Sequence, residues 1–180
     1  AGQKLGFLLK ALTLGTIGIR TFDDLPIPFR CVATDIGTGD KVVLSDGSLA
    51  EAIRASMSLP GVFSPVPRGA RLLVDGGLVE NLPVAEAEAM GADLVVAVDV
   101  SSDKLDPEKL KSFGGILSRT INLPIKRNVE AALPRASVAV RPRVGDIPSM
   151  DFDRARDLVA RGEAAARALS KELSALSVSE

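Results

Sequence analysis

Asp75, Gly76 and Gly77 are the residues of this chain whose types and spacing best suit chemistry: a carboxylate followed at once by two residues without side chains. A carboxylate can take a proton from a hydroxyl within hydrogen-bond reach. Two glycines after it let another backbone or a ligand approach closely. The tripeptide follows Leu72-Leu73-Val74, a short apolar run that reads as a buried strand. The same three residues are also an ordinary turn, because Asp and Gly both tolerate turn dihedrals. Asp99 ends a second apolar run, Leu94 to Val98, and reads as a strand-end cap or a hydrogen-bond partner for a neighbouring loop. Ser56, Ser58 and Ser64 offer hydroxyls, but none lies on a Gly-x-Ser-x-Gly turn. Ser56 and Ser58 read as packing or capping groups at a helix end.

Composition narrows the chemistry. The chain has 180 residues and no histidine, so these residues supply neither the base of a Ser-His-Asp triad nor an imidazole metal ligand. A carboxylate is the remaining candidate for acid–base work near neutral pH. Cys31 is the only cysteine, which excludes a disulfide framework and a cysteine-based metal site within the chain. It reads as a small buried hydrophobe. Formal net charge is −1 with both signs interspersed, which gives no footprint for nucleic acid. Trp and Tyr are absent, so there is no aromatic stacking platform of those residues. No stretch reads as a signal peptide or membrane span; Leu5 to Ile19 is too short and too interrupted. No cofactor and no metal is expected.

Around Asp75, the stretch Arg71 to Val100 reads as strand, short helix, strand. Pro83 opens the helix, Ala85, Ala87 and Ala89 favour it, and Gly91 supplies a left-handed stop. Such a βαβ unit implies a mostly parallel sheet, with Asp75 at a carboxyl strand end where α/β folds bind ligands. Upstream, a weak helix is expected around Lys4–Leu14, its apolar face either core or an amphipathic element touching lipid, with core favoured. Phe22 to Pro28 reads as a connector, and Phe29–Ile36 and Lys41–Ser45 as a hairpin. Ser48 and Glu51 match a capping box opening a helix to about Met57, stopped by Leu59-Pro60-Gly61. Val62 to Pro67 is a proline-fixed apolar loop. Downstream, Asp106-Pro107-Glu108 reads as a helix start, residues 107–133 as mostly helix broken at Gly114-Gly115 and Pro124, and Ala136–Arg141 as a strand. Ser149 or Asp151 caps a last amphipathic helix over about Phe152–Leu173. A Rossmann nucleotide site is disfavoured, because no G-x-G-x-x-G opens the helix after Gly76-Gly77.

Several of these pieces together resemble a known family. LPIPFRCVATDIGTGDKVVL, AIRASMSLPGVFSPV, LLVDGGLVENLPV and MGADLVVAVDV are similar to the carboxyl-terminal half of the bacterial patatin-like phospholipase domain. The tail VRPRVGDIPSMDFDRARDLVARGEAAARAL resembles that domain's last strand and helix, so the resemblance covers roughly residues 22–173. It implies an α/β protein, a three-layer α/β/α sheet, mostly parallel, here without its first strands and nucleophile elbow. It also implies a lipid acyl hydrolase with a Ser-Asp dyad, in which Asp75 matches the base. Gly76 and Gly77 would shape the turn that presents it, Asn81 and Pro83 would fix the next loop, and Pro60 and Phe63 would support an acyl site. The family's serine elbow and glycine-rich oxyanion loop have no counterpart in these 180 residues. The chain reads as a partial domain, inert alone, exposing apolar surface, and completed by an amino-terminal half in the natural protein. A lipid or acyl-ester substrate is implied. Peripheral membrane contact and a homo-oligomer are compatible with the sequence. The alternative is a catalytically inactive α/β module used for binding or assembly. Compartment stays open between secreted, cell-envelope and cytoplasmic.

Overall fold

The structure is a computed structural model that describes residues 2–101, 107–145, 147 and 151–177. The chain divides into two compact units, Ala1–Asn81 and Leu82–Glu180.

The first unit opens with helix α1, Gln3–Leu12. None of its residues is buried, and Phe7 and Leu12 are each 73% exposed, so its apolar side chains are not core. Strands β1 (Cys31–Asp35) and β2 (Lys41–Leu44) form the expected antiparallel hairpin. Its turn uses Gly39 at φ +80°, where a side chain would be strained. Helix α2 spans Leu49–Ser56, and the Ser48 hydroxyl accepts the Glu51 N–H at 3.4 Å, which is half of the capping box. Strand β3 (Val66–Arg68) then turns through Gly69 into β4 (Arg71–Asp75). Helical turn α3, Gly77–Glu80, follows immediately.

The sheet order is β2-β1-β4-β3, and every pairing is antiparallel. The α/β class stands, but β4 is not the parallel strand expected from the stretch 71–100. A short apolar run specifies a strand without specifying its partner. Here the Gly69-Ala70 turn folds β3 back onto β4. Pro67 is tolerated because β3 is an edge, where a missing N–H interrupts no ladder. Phe22, Ala33, Val42, Leu44, Ala52, Ala55 and Leu73 make one buried cluster between the sheet and α2, with Cys31 packed at its margin. Phe22 and Phe29 meet at a ring separation of 6.1 Å.

In the second unit, helix α4 spans Val84–Ala89 with Pro83 at its cap position. Gly91 ends it at φ +89°; the Gly91 N–H donates to Glu88 and the Ala92 N–H to Ala87, a Schellman motif. Strand β5 is Val96–Val98. Helix α5, Phe113–Ala132, starts at Ser112, whose hydroxyl accepts the Gly115 N–H at 3.1 Å. Asp106 lies outside the described residues. Gly114 and Gly115 fall in the first turn and break nothing. Pro124 sits inside the helix, forfeiting one ladder bond while the turns on either side continue. Strand β6 (Val138–Val140) pairs parallel with β5. The parallel βαβ arrangement therefore exists in this chain as β5-α5-β6. Leu82, Val84, Ala97 and Val129 form its core.

The last helix expected is two, α6 (Ala155–Ala168) and α7 (Ser170–Ala175), after a 3-10 turn at Phe152–Arg154. Leu169 leaves helical geometry (φ −104°, ψ 20°) and its N–H donates to Ala166, tightening the end of α6. Phe152 and Val159 are exposed rather than buried. Asp151 precedes the 3-10 turn without a side-chain cap bond, and Ser149 is outside the described residues.

Candidate active site

Asp75 is the last residue of β4. Register places it opposite Ala33, on the face whose apolar residues pack against α2. Its backbone is held on three sides. The Asp75 N–H donates to the Ser58 carbonyl at 3.1 Å, and the Gly76 N–H to the Ser56 carbonyl at 3.2 Å. The buried Thr34 hydroxyl donates to the Asp75 carbonyl at 2.8 Å. Two of these bonds serve carbonyls at the end of α2, where no further helical N–H is available. The strand end and the helix end thus satisfy each other.

The carboxylate is half-buried. Its Oδ1 accepts the Gly77 N–H at 2.8 Å. Oδ2 has no hydrogen-bond partner and the group no ion pair among the described residues. Burial raises the proton affinity of Asp75 above the ordinary value of 3.8, opposed by the Gly77 bond. A base needs both features: an unoccupied oxygen and a conjugate acid that is not too strong.

The two glycines do different work. A Cβ on Gly76 would lie 2.1 Å from the Val32 carbonyl oxygen, so the backbone passes too close for any side chain. A Cβ on Gly77 would meet the Asn81 Oδ1 at 2.8 Å and the Asp75 Oδ1 at 3.1 Å. Asn81 is therefore gathered against the Asp-Gly-Gly turn. Pro60 and Phe63 lie in the segment after α2 and are half-buried, while Leu59 and Val62 beside them are 38% and 39% exposed. Arg54 packs its guanidinium over the Phe63 ring at 4.7 Å.

Three groups that build the site were not singled out as such from sequence: Thr34, Arg54 and the carbonyl of Ser58. The i, i+4 spacing of Arg54 and Ser58 on a helix was the available signal. Elsewhere, Asp99 behaves as a strand-end cap: its Oδ1 accepts the Ser101 N–H at 3.0 Å and hydroxyl at 2.6 Å, and Arg141 pairs with Oδ2 at 3.1 Å. The Cys31 thiol is pushed up to about 11 by burial, as a packed thiol should be. Among the described residues, no cluster of three or more His, Cys, Asp or Glu could hold a metal ion, and no helix is long and apolar enough to cross a membrane.

Fold and site thus define an α/β protein that presents a partly desolvated carboxylate at a strand end. The family model of the patatin-like phospholipases matches residues 6–88, which include that carboxylate. A mouse protein named patatin-like phospholipase domain-containing protein 7 is 43% identical over 101 residues, 55% of this chain and 7% of the relative. Two NTE family proteins of Mycobacterium tuberculosis also match. One is 40% identical over 93 residues (52% of this chain, 26% of the relative), the other 32% identical over 187 residues (87% and 31%). In each case the match spans less than a third of the relative's length.

Proposed function

We propose that this chain supplies the general base of a lipid acyl hydrolase. Asp75 takes the proton of a serine hydroxyl contributed from outside these 180 residues. The serine oxygen then bonds to the acyl carbon of a phospholipid or related ester. As the ester C–O bond breaks, Asp75 returns the proton to the leaving alcohol. Water, deprotonated by the same carboxylate, releases the acid and restores the serine. Backbone N–H groups for the oxyanion also come from beyond this chain. Gly76 and Gly77 hold the turn, Asn81 supports it, and the apolar segment from Leu59 to Phe63, with Pro60, borders the acyl chain. Residues 1–180 alone are expected to be inert, and contact with a lipid surface would accompany the substrate.

The observation that supports this reading most is the state of Asp75: an oxygen without a partner on a partly buried carboxylate, inside the family-matched segment. The test is hydrolysis of a soluble ester and of phospholipid vesicles by the full natural protein. The Asp75→Asn variant should lose activity, and a fluorophosphonate should label a serine outside residues 1–180. Equal rates for the two proteins would refute the role given to Asp75. The second reading, a catalytically inactive module for binding or assembly, draws on the exposure of Phe113 (82%), Phe152 (74%) and Val159 (71%). It gains if the full protein takes no fluorophosphonate label and hydrolyses no ester.

A further inference from the structure

The segment between α2 and β3 carries a set of contacts that the dyad chemistry does not require. Ser58 is fully buried just past the end of α2, and one residue, Arg54, bonds its side chain twice: its hydroxyl donates to the Arg54 carbonyl at 2.6 Å and accepts from Arg54 Nη1 at 2.5 Å. The other terminal nitrogen, Nη2, reaches the Ser64 carbonyl at 3.4 Å. The plane of the guanidinium lies over Phe63. One side chain therefore ties the end of α2 to both ends of the apolar segment 58–64. That segment is not remote from the carboxylate, because the Ser58 carbonyl receives the Asp75 N–H and the neighbouring Ser56 carbonyl receives the Gly76 N–H.

The geometry points to Arg54 as a positioning residue that, acting through Ser58, sets where β4 presents Asp75. A buried serine whose hydroxyl is bonded as both donor and acceptor is held in place, and its carbonyl meets the Asp75 N–H from that fixed position. Arginine suits the task because its planar fork binds two acceptors while stacking on a ring, which lysine cannot match. Arg54 touches neither carboxylate oxygen; its effect is carried by the backbone. This inference rests on the hydrolase reading above and names a further residue of the same site.

The test uses the full natural protein and a short-chain soluble ester. Arg54→Ala should lower kcat by about 10- to 100-fold, the scale expected for a base displaced by about an ångström, with KM little changed. The acid limb of kcat/KM should move to lower pH, because a carboxylate released from its buried place hydrates more freely. A mere loss of folded protein lowers rates equally at all pH and leaves the limb in place. Ser58→Ala should act in the same direction, and the double variant should be no worse than Arg54→Ala, since the two residues form one unit. Arg54→Lys should recover part of the loss. Should Arg54→Ala fail to fold, Ser58→Ala and Arg54→Lys decide by the same readouts. The proposal falls if the folded variants keep the wild-type kcat and acid limb, or if their rates drop uniformly with additive effects. If Asp75→Asn is inactive while the Arg54 and Ser58 variants are unaffected, only the positioning role is wrong. If Asp75→Asn keeps the wild-type rate, the hydrolase reading fails and carries this one with it.

Discussion

Asp75 and Asp99 are nearly the same residue by sequence. Each follows an apolar strand, and each accepts a hydrogen bond from the backbone N–H two positions on, Gly77 at 2.8 Å and Ser101 at 3.0 Å. Their surroundings diverge from there. Asp99 is 4% exposed, accepts a hydroxyl as well, and is paired with Arg141. Asp35, at the end of β1, is a third case: its carboxylate caps Gly37 at 3.0 Å and lies 3.8 Å from Arg71. Both Asp35 and Asp99 have a cation beside them. Asp75 has none among the described residues, and is less buried than either. A carboxylate neutralised by a guanidinium and held by several donors is a structural cap. One left with a single amide, in a place that disfavours its charge, is disposed to accept a proton.

The sharpest way to break that contrast is to neutralise each carboxylate in turn. In the full protein, Asp75→Asn should lower kcat for ester hydrolysis by about 10²–10⁴-fold, the usual worth of a general base. Asp99→Asn should leave kcat within about a few-fold, because a carboxylate already bonded to Ser101 and paired with Arg141 is not disposed to take a proton. Were the two variants equally inactive, the distinction between cap and base would be lost.

The glycines offer a second comparison, read in stability. Gly76→Ala drives a Cβ into a backbone carbonyl and should destabilise by about 3 kcal/mol in denaturant titration, at the upper end of overpacking costs. Gly77→Ala meets the end of a movable Asn81 side chain and should cost about 1 kcal/mol or less. Its effect should fall more on activity, because Asp75 Oδ1 is the next atom met. On the other strand end, Arg141→Ala leaves the Asp99 carboxylate buried without its cation. It should cost about 1–3 kcal/mol, the penalty of stranding a buried polar group.

The smallest effect distinguishes activity from stability at the same residue. Asp75 must be ionised to act as a base, so kcat/KM should fall as pH drops through a value above 3.8. Stability runs the other way. The folded chain holds the Asp75 proton more tightly than the unfolded chain does. This group's contribution therefore declines as pH rises from the unfolded pKa through the folded one. At neutral pH, Asp75→Asn should melt no lower than the wild type while its activity is gone. A lower melting temperature would mean that the carboxylate is a structural cap after all.

What could be read from the residues in order was local. The hairpin around Gly37–Asp40, the Ser48 cap, the stop at Gly91 and the strand before Asp75 all follow from turn dihedrals, orphan N–H groups and apolar runs, and all appear in the structure. The set of motifs around Asp-Gly-Gly also points to the family whose model matches residues 6–88. What the chain order could not show was which strand lies beside which. Three to five apolar residues fit a parallel or an antiparallel neighbour equally well, so the residue order places β4 in a βαβ unit that β5 and β6 form instead. Nor could it show which strand-end aspartate goes without a cation. Arg141 lies far along the chain from Asp99, and Arg71 is brought near Asp35 only when β1 pairs with β4. The residue types that make a base were present in the sequence. The desolvation and the missing counter-charge that favour Asp75 over its two look-alikes come from packing between segments distant in the chain, and only the tertiary structure decides them.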